Sequence, residues 1–417
     1  MNVDFQVIGG GLIGLSTAYA LQLRGAKVRV IEARNGVGQE TSFANAGMLH
    51  AFNAAPWNRP GVTKQLVKSL LDPGSAMKLR LNAFPSIIGW GLKFLAASRP
   101  DPHWHATKNN YELAIASMAH MDKWQLELGM EIDNCKNGLL NIARSQKEFE
   151  AARALTEKLE PIGFQVKVLN PQETVDKEPT LAPIADQLVG SFYYPDDFSA
   201  DAYKFCEALK VAIENNGGEV ISNTRVGGFL REYGTVIGVK TAKENYQATT
   251  TIVAAGAHTA ALTRQLGIKL AVRPVKGYSL TFEDLPGPKI PVIDDNLHAA
   301  LTPLGSRMRI AGTAEFTGFD HSMPQHRLKP LLGMLQSVYP DLAKNQSLNS
   351  AIPWCGFRPM SADGIPFIGR TAVNGLAVNT GQGHMGWTLS AGSGELLADI
   401  LLDRETSLDI GAFDPMR

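Results

Sequence analysis

The sequence predicts an α/β fold in which a domain with a parallel sheet is interleaved with an α+β domain built on a mixed or antiparallel sheet. Three observations carry this prediction. The chain opens with a strand, a glycine turn and a helix. Residues 272–314 are rich in strands without helices between them, unlike the opening unit. Glycine-rich sequence then returns near the C-terminus. We therefore expect a discontinuous first domain at 1–85, 195–265 and 350–417, and a second domain at 86–194 and 266–349.

The opening unit has the pattern of a Rossmann-like dinucleotide site. A short strand precedes Gly9, Gly11 and Gly14, an apolar helix follows them, and a second strand ends at Glu32. In G-x-G-x-x-G the first glycine permits the turn, the second lets a pyrophosphate approach the backbone, and the third lets helix and strand pack closely. Glu32 is placed to accept hydrogen bonds from a ribose diol, which favours FAD or NAD over NADP. The motif alone does not choose between FAD and NAD.

Charge and cysteine content exclude several classes of protein. The 417 residues contain 40 Lys and Arg against 40 Asp and Glu, so there is no basic excess to attract nucleic acid. Cys135, Cys206 and Cys355 lie far apart, which fits a reducing, cytoplasmic location and neither a disulfide framework nor a metal site. The glycine motif starts at residue 9, which leaves no room for a signal peptide before it.

The most apolar stretch, residues 84–97, is too short to span a membrane and is interrupted by Pro85 and Lys93. We expect it to pack in the core or over a cofactor rather than to lie on a membrane surface.

Hydrophobic periodicity predicts the elements between the glycine-rich segments. Helices are expected at 111–128, 146–159, 172–178, 202–215 and, as one helix, within 324–342. Strands are expected at 138–143, 166–169, 188–194, 219–222, 225–232, 236–241, 247–253, 272–281, 290–293, 299–302, 308–312 and 376–379. The spacing around Gly234 predicts a meander, and the strands after residue 272 predict an antiparallel sheet.

Three further segments have the small, polar composition of loops that lie against a ligand. They are the stretch 41–50, the strand end at Ala255-Gly256, and the glycine loop 381–388, which precedes a helix to about Leu402. Small residues at the carboxyl end of a strand, and a helix N-terminus after a glycine loop, both allow close approach of a ligand.

Seven motifs in order carry a family resemblance: GGGLIG at 9–14, ETSFANAG at 40–47, AAPW at 54–57, VKGYSLT at 275–281, GTAEFTGFD at 312–320, GFRPMSADGIPFIGR at 356–370 and NTGQGHMGWTLSAGSGELLADIL at 379–401. From end to end the chain resembles bacterial FAD-dependent D-amino acid dehydrogenases of the small-subunit type, within the wider group of D-amino acid oxidases, glycine oxidases and sarcosine oxidases. The resemblance implies a fold of the D-amino acid oxidase type and non-covalently bound FAD.

The resemblance also implies which residues hold the cofactor, from the pyrophosphate turn past the adenosine to the flavin ring. These are Gly9, Gly11, Ile13, Gly14, Glu32, Ala33, Thr41, Ser42, Asn45, Ala46, Gly47, Met48, Val226, Ala255, Gly256, Gly381, Gly383, Met385, Gly386, Trp387 and Thr388.

Four residues are candidates for the substrate site. Arg358 matches the family's arginine that grips the substrate carboxylate, and a guanidinium suits a carboxylate because its donors form a fork. Tyr278 either adds a hydroxyl there or simply packs in its strand. His50 and His384 lie in flavin-side loops, where each either shapes the substrate pocket or is an ordinary hydrogen-bonding residue.

The implied reaction is oxidative deamination of a D-amino acid by hydride transfer from the α carbon to flavin N5, giving an imino acid and then a 2-oxo acid. Electrons would pass to an acceptor other than oxygen, such as a quinone, with peripheral contact at the inner face of the cell membrane as an option. The alternatives are a D-proline or cis-4-hydroxy-D-proline dehydrogenase, a glycine- or sarcosine-type oxidase that makes hydrogen peroxide, and a flavoprotein subunit without an amine substrate of its own.

Two positions depart from the family pattern. The loop Gly381-Gln382-Gly383-His384 replaces a common Gly-His-Gly-Thr, which points to a different substrate preference. Cys355 lies roughly where sarcosine oxidases attach flavin covalently, but a buried cysteine is more often a packing residue.

Overall fold

The computed structural model describes residues 3–62, 77–79 and 84–417. Its strands are β1 Val3–Ile8, β2 Val28–Ile31, β3 Met48–Leu49, β4 Met77–Leu79, β5 Leu139–Ala143, β6 Lys167–Leu169, β7 Gly190–Tyr194, β8 Phe198–Ser199, β9 Glu219–Ile221, β10 Val226–Glu232, β11 Thr235–Thr241, β12 Asn245–Val253, β13 Val272–Phe282, β14 Val292–Asp294, β15 Ala299–Leu304, β16 Arg307–Phe316, β17 Ala351–Ser361, β18 Phe367–Arg370 and β19 Leu376–Thr380.

Its helices are α1 Leu12–Gln22, α2 Phe84–Ala97, α3 Pro100–Leu128, α4 Gln146–Leu159, α5 Pro171–Lys177, α6 Ala202–Asn215, α7 Thr259–Arg264, α8 Gln325–Val338, α9 Pro340–Ala343, α10 Ser390–Leu401 and α11 Ile410–Phe413. None of these described helices is long and apolar enough to cross a bilayer.

The first sheet has the order β9-β2-β1-β12-β19-β18, and its first five strands are parallel. β18 closes the sheet antiparallel to β19, and the predicted meander β10-β11 runs into the start of β12. All four residues of β2 are buried, as is typical of a parallel strand covered on both faces. Helix α1 supplies the central apolar cover through Leu15, Ala18 and Leu21.

The second sheet has the order β17-β13-β16-β15-β14-β5-β7-β6, with β4 added beside β16. Most pairs are antiparallel, whereas β14 with β5 and β16 with β4 are parallel, so the predicted mixed sheet is confirmed. One face carries α8, whose fully buried Leu331, Leu335 and Val338 share a core with the sheet residues Met308 and Ile310.

β17 belongs to the second sheet. It pairs with β13 over its whole length, from Val272 opposite Ser361 to Phe282 opposite Ala351. A domain boundary at 350 would assign this strand to the first sheet, whereas its ladder of hydrogen bonds joins it to the second. The chain returns to the first sheet only at β18.

Two helices also differ from the bounds that hydrophobic periodicity predicts. α3 begins eleven residues before the predicted start, because Pro100 occupies the first turn, where the missing N–H costs nothing. The single helix expected within 324–342 is two, because the chain leaves helical geometry at Tyr339 before Pro340. By contrast α4 and α6 have the predicted bounds, and the side chains of Ser145 and Asp201 cap them.

Candidate active site

A cavity of about 1480 Å³ extends from the glycine turn after β1, along the loop 41–48, to Arg358 on β17. It therefore lies between the carboxyl ends of the first sheet and one end of the second sheet. Ligands of open α/β sheets bind at such carboxyl ends.

The glycine turn leaves no room for side chains. Gly9 has φ +113°, and a Cβ there would lie 2.6 Å from the carbonyl oxygen of Ala254. A Cβ on Gly14 would lie 1.9 Å from the carbonyl oxygen of Gly9, so α1 can approach β1 only because residue 14 is glycine. The first turn of α1 is thereby held beside the cavity, where its N–H groups favour phosphate.

Glu32 ties the two ends of this turn together. Its Oε2 accepts a hydrogen bond from the Gly10 N–H at 2.6 Å, and its Oε1 accepts one from the Arg34 N–H at 2.7 Å. Each carboxylate oxygen has a second lone pair, and Glu32 lines the cavity. The cradle and the remaining acceptors thus fit the pyrophosphate and a ribose diol of a dinucleotide.

The loop 41–48 is anchored to the second sheet and to helix α1. The Thr41 hydroxyl donates to the Phe357 carbonyl at 2.9 Å, and the Thr302 hydroxyl donates to the Ala46 carbonyl at 2.6 Å. Arg309 donates to the Asn45 carbonyl, and Ser42 Oγ accepts the N–H of the first residue of α1. Several independent anchors fix a short irregular segment, which gives the middle of the cavity a rigid wall.

Arg358 lies at the far end with no carboxylate partner among the described residues. Its Nη1 donates to the Thr313 carbonyl at 3.2 Å, and its guanidinium carbon lies 5.6 Å from the centre of the Trp57 ring. Burial lowers the pKa of Arg358 to about 10, which still leaves it charged at pH 7. A half-buried cation without a carboxylate partner among the described residues is suited to bind an anionic group at the cavity.

His50 and His384 both border this end and both are neutral. Burial lowers the pKa of His50 to about 3, and burial followed by the charge of Arg358 lowers that of His384 to about 4. His384 Nε2 donates to the Asn53 carbonyl at 3.0 Å, and its ring stacks on Trp57. The backbone N–H of His50 donates to the hydroxyl of Thr388.

Tyr278 lines the cavity, but its hydroxyl is already engaged. It donates to Glu315 Oε2 at 2.8 Å, and Glu315 in turn forms an ion pair with Arg327. Burial followed by this carboxylate raises the pKa of the Tyr278 hydroxyl. Tyr278 was expected either to offer its hydroxyl to the substrate carboxylate or to pack within its strand, and this geometry agrees with packing within β13.

The structure brings most of the sequence-derived site residues to one cavity. Gly14, Gly381, Met385 and Thr388 do not line it, although each is next in the chain to a residue that does. The lining residues from that set are Gly9, Gly11, Ile13, Glu32, Ala33, Thr41, Ser42, Asn45, Ala46, Gly47, Met48, His50, Val226, Ala255, Gly256, Tyr278, Arg358, Gly383, His384, Gly386 and Trp387.

Cys355 does not line the cavity. Its thiol donates to the His321 carbonyl at 3.5 Å, and burial raises its pKa, so the thiolate is disfavoured. This geometry supports non-covalent attachment of the cofactor.

Several residues at the Arg358 end were not identified as site residues from the sequence. Trp57 was noted only within AAPW, and Asn53, Thr313 and Gly277 were not singled out. A tryptophan in a segment without periodicity was the one available signal, because the other three act through backbone atoms or through a missing side chain.

Comparisons with known proteins show the family to which the chain is similar. A family model described as FAD dependent oxidoreductase matches residues 4–400. D-amino acid dehydrogenase of Vibrio vulnificus (strain YJ016) is 33% identical over 411 residues and 97% of both chains. D-amino acid dehydrogenase of Methylobacterium sp. (strain 4-46) is 34% identical over 406 residues and 96% of both chains.

Two solved structures share the whole fold. Glycine oxidase from Geobacillus kaustophilus has a TM-score of 0.80 at 25% identity and covers 100% of this chain and 99% of its own. L-proline dehydrogenase from P. horikoshii has a TM-score of 0.76 at 21% identity, covers 100% and 97%, and shows the fold alone. The expected D-amino acid oxidase type fold and the expected FAD are thereby confirmed, and the chain belongs to the family of FAD-dependent oxidoreductases.

Proposed function

We propose that this enzyme oxidises a D-amino acid to an imino acid, which water then hydrolyses to a 2-oxo acid and ammonium. The observation that supports this reaction is Arg358, a half-buried guanidinium that faces the cavity and that no described carboxylate neutralises. Relatives named D-amino acid dehydrogenase over nearly the whole chain support the same reaction.

Arg358 would bind the substrate carboxylate and so fix one end of the molecule. FAD, when bound, supplies the two-electron acceptor for the hydride that leaves the α carbon. Trp57 and His384 form a stacked wall beside the guanidinium, which limits where the α carbon can lie. Precise placement of a bound substrate is the main contribution that a protein makes to cofactor chemistry.

The substrate amine would bind near uncharged groups. His50 and His384 are neutral at pH 7, so neither repels an ammonium nor competes for the carboxylate. No general base beyond solvent is required if the amine binds unprotonated, because its lone pair then drives formation of the C=N bond.

A membrane quinone is the acceptor we propose. Helix α2 packs in the core through Trp90 and Phe94, as expected, but its other face exposes Ile88, Leu92 and Leu95 by 54%, 65% and 39%. For this exposed face we propose a membrane contact, which the sequence alone did not favour. Residues 59–99 contain seven Lys or Arg and one Asp in a chain of zero net charge. An apolar stripe in a basic segment is typical of a helix that rests on an anionic bilayer.

The test is an anaerobic visible spectrum of the FAD-loaded protein, titrated in turn with D-alanine, D-proline, cis-4-hydroxy-D-proline, glycine and sarcosine, and with the L-enantiomers. Bleaching by D-amino acids supports the proposal. Reoxidation by air with release of peroxide would favour an oxidase like the glycine oxidase that shares the fold. Faster reoxidation by quinone in anionic vesicles than by quinone in neutral vesicles would support the proposed membrane contact.

Arg358→Met tests the role of the guanidinium. Loss of a charged, buried hydrogen-bonding partner should raise the substrate concentration for half-reduction by on the order of 100-fold. FAD content should stay at the wild-type level, and Arg231→Met, which changes an exposed arginine of the β10-β11 hairpin, should have no effect. Unchanged half-reduction in Arg358→Met would refute carboxylate binding at Arg358.

A further inference from the structure

We propose that Gly277 is a positioning residue for Arg358, because the missing side chain at 277 lets the guanidinium lie flat on the backbone of β13. The inference rests on the proposed binding of a substrate carboxylate by Arg358. It adds a residue that acts through the guanidinium and decides where the guanidinium points.

The geometry at Gly277 is specific. A Cβ there would lie 2.2 Å from Nη1 of Arg358, 2.6 Å from its Cζ and 2.7 Å from its Nη2. Contacts under 3.0 Å to three atoms of one guanidinium mean that its plane covers Gly277. Any larger residue at 277 must displace the group from this seat.

The strand register explains the arrangement. On β17 Gly356 stands opposite Gly277, and Arg358 stands opposite Val275. The Arg358 side chain therefore reaches diagonally back over the glycine pair. A Cβ on Gly356 would lie 2.0 Å from the Trp354 ring, so Trp354 covers the second glycine. The paired glycines form a floor without side chains beneath one cation and one aromatic ring.

Thr313 holds the guanidinium from the side. The register of β13 with β16 shifts between Lys276 and Tyr278, and Thr313 lies at this bulge with φ +62°. A β-branched residue rarely adopts this conformation, which persists only where the surrounding structure enforces it. The result is a carbonyl oxygen within 3.2 Å of Nη1.

Glycine at 277 is not required by the backbone. Its φ lies outside the left-handed region, and the atoms that a Cβ would meet are the end of a flexible side chain. Alanine should therefore be accommodated by movement of Arg358 and not by movement of the strands. A purely structural glycine would behave differently, because its replacement would disturb the sheet itself.

The test compares binding of benzoate and of benzamide to FAD-loaded Gly277→Ala and wild-type protein, by isothermal titration calorimetry. The two probes have the same ring, but only benzoate carries the charge that Arg358 recognises. We expect benzoate to bind about tenfold more weakly in the variant, since a charge-assisted hydrogen bond loses its alignment. Benzamide affinity, FAD content and melting temperature should be unchanged.

Gly227→Ala in β10 is the matched control, because the nearest atom to its Cβ would be 3.8 Å away. It should bind benzoate as the wild type does.

Several outcomes overturn the inference. Unchanged benzoate binding in Gly277→Ala would do so, as would equal weakening of benzoate and benzamide. If Gly277→Ala does not fold, the double variant Gly277→Ala with Arg358→Met shows whether the new methyl group clashes with the guanidinium. Recovery of folding assigns the clash to the guanidinium. Continued misfolding refutes the positioning role. A wild-type protein that does not discriminate benzoate from benzamide, with Arg358→Met unchanged, would instead refute the proposed function.

Discussion

Asp197→Asn should remove a large part of the dependence of stability on pH. Asp197 is 3% exposed and lies beneath the turn 51–53 at the substrate end of the cavity. Its Oδ1 accepts the Ala51 N–H at 2.9 Å, and its Oδ2 has no partner among the described residues. Burial, assisted by the neighbouring charge of Asp196, raises the pKa of Asp197 to about 8.

The sign follows from proton linkage. The folded protein holds the Asp197 proton up to about pH 8, whereas the unfolded chain releases it near its ordinary pKa of 3.8. This group therefore contributes stability that is fully present below about pH 4 and is lost as the pH rises through 8. Each pKa unit is worth about 1.4 kcal/mol, so the loss amounts to at most about 6 kcal/mol.

The measurement is the free energy of urea unfolding at pH 5, 6, 7, 8 and 9, with the same excess of FAD throughout. Asparagine keeps the acceptor for the Ala51 N–H but has no proton to release, so the variant should lose much less stability between pH 5 and 8 than the wild type. Asp196→Asn, at an exposed neighbour, should keep most of the wild-type slope. Parallel curves for wild type and Asp197→Asn would refute the reasoning.

Two further predictions concern stability and cofactor retention. Arg144→Met leaves the completely buried Asp294 without its ion-pair partner and should cost about 3–5 kcal/mol of unfolding free energy. Arg370→Met, in an exposed pair, should cost much less. Equal costs in urea unfolding would contradict this. Gly14→Ala would push a methyl group against the Gly9 carbonyl and should lower the FAD content of the purified protein, and a wild-type ratio of FAD to protein would show that α1 can move away.

The parts of the structure that could be predicted are those that depend on contacts between residues close together in the sequence. The turn at Gly14 is an example, because a Cβ there would meet Gly9 and Val7 of the same strand–turn–helix unit. Helix α4 is another, since Ser145 and Glu148 form a reciprocal cap within four residues. In both cases a short stretch of sequence contains both of the residues that interact.

The parts that could not be predicted depend on distant partners. β17 pairs with a strand about eighty residues earlier, and no strand was predicted at 351–361, because its partner lies far away in the sequence. The Tyr278 hydroxyl meets Glu315 because β13 and β16 are neighbours, which no local pattern indicates. The positive φ of Thr313 arises from a register shift between those two strands, and threonine itself gives no sign of it.

Burial determines which side chains are charged at the Arg358 end of the cavity. It removes the charges of His50 and His384 at pH 7, because a pKa near 3 or 4 leaves imidazole neutral. It lowers the pKa of Arg358 to about 10 but does not remove its charge, so one cation remains. No described carboxylate compensates that cation, and its desolvation therefore opposes folding of the free protein. An incoming carboxylate would offset this cost and raise the pKa of Arg358 again, so carboxylate binding should weaken as the pH approaches 10. A neutral ligand of the same shape would gain none of this energy, and the unpaired arginine thus accounts for selectivity as well as affinity.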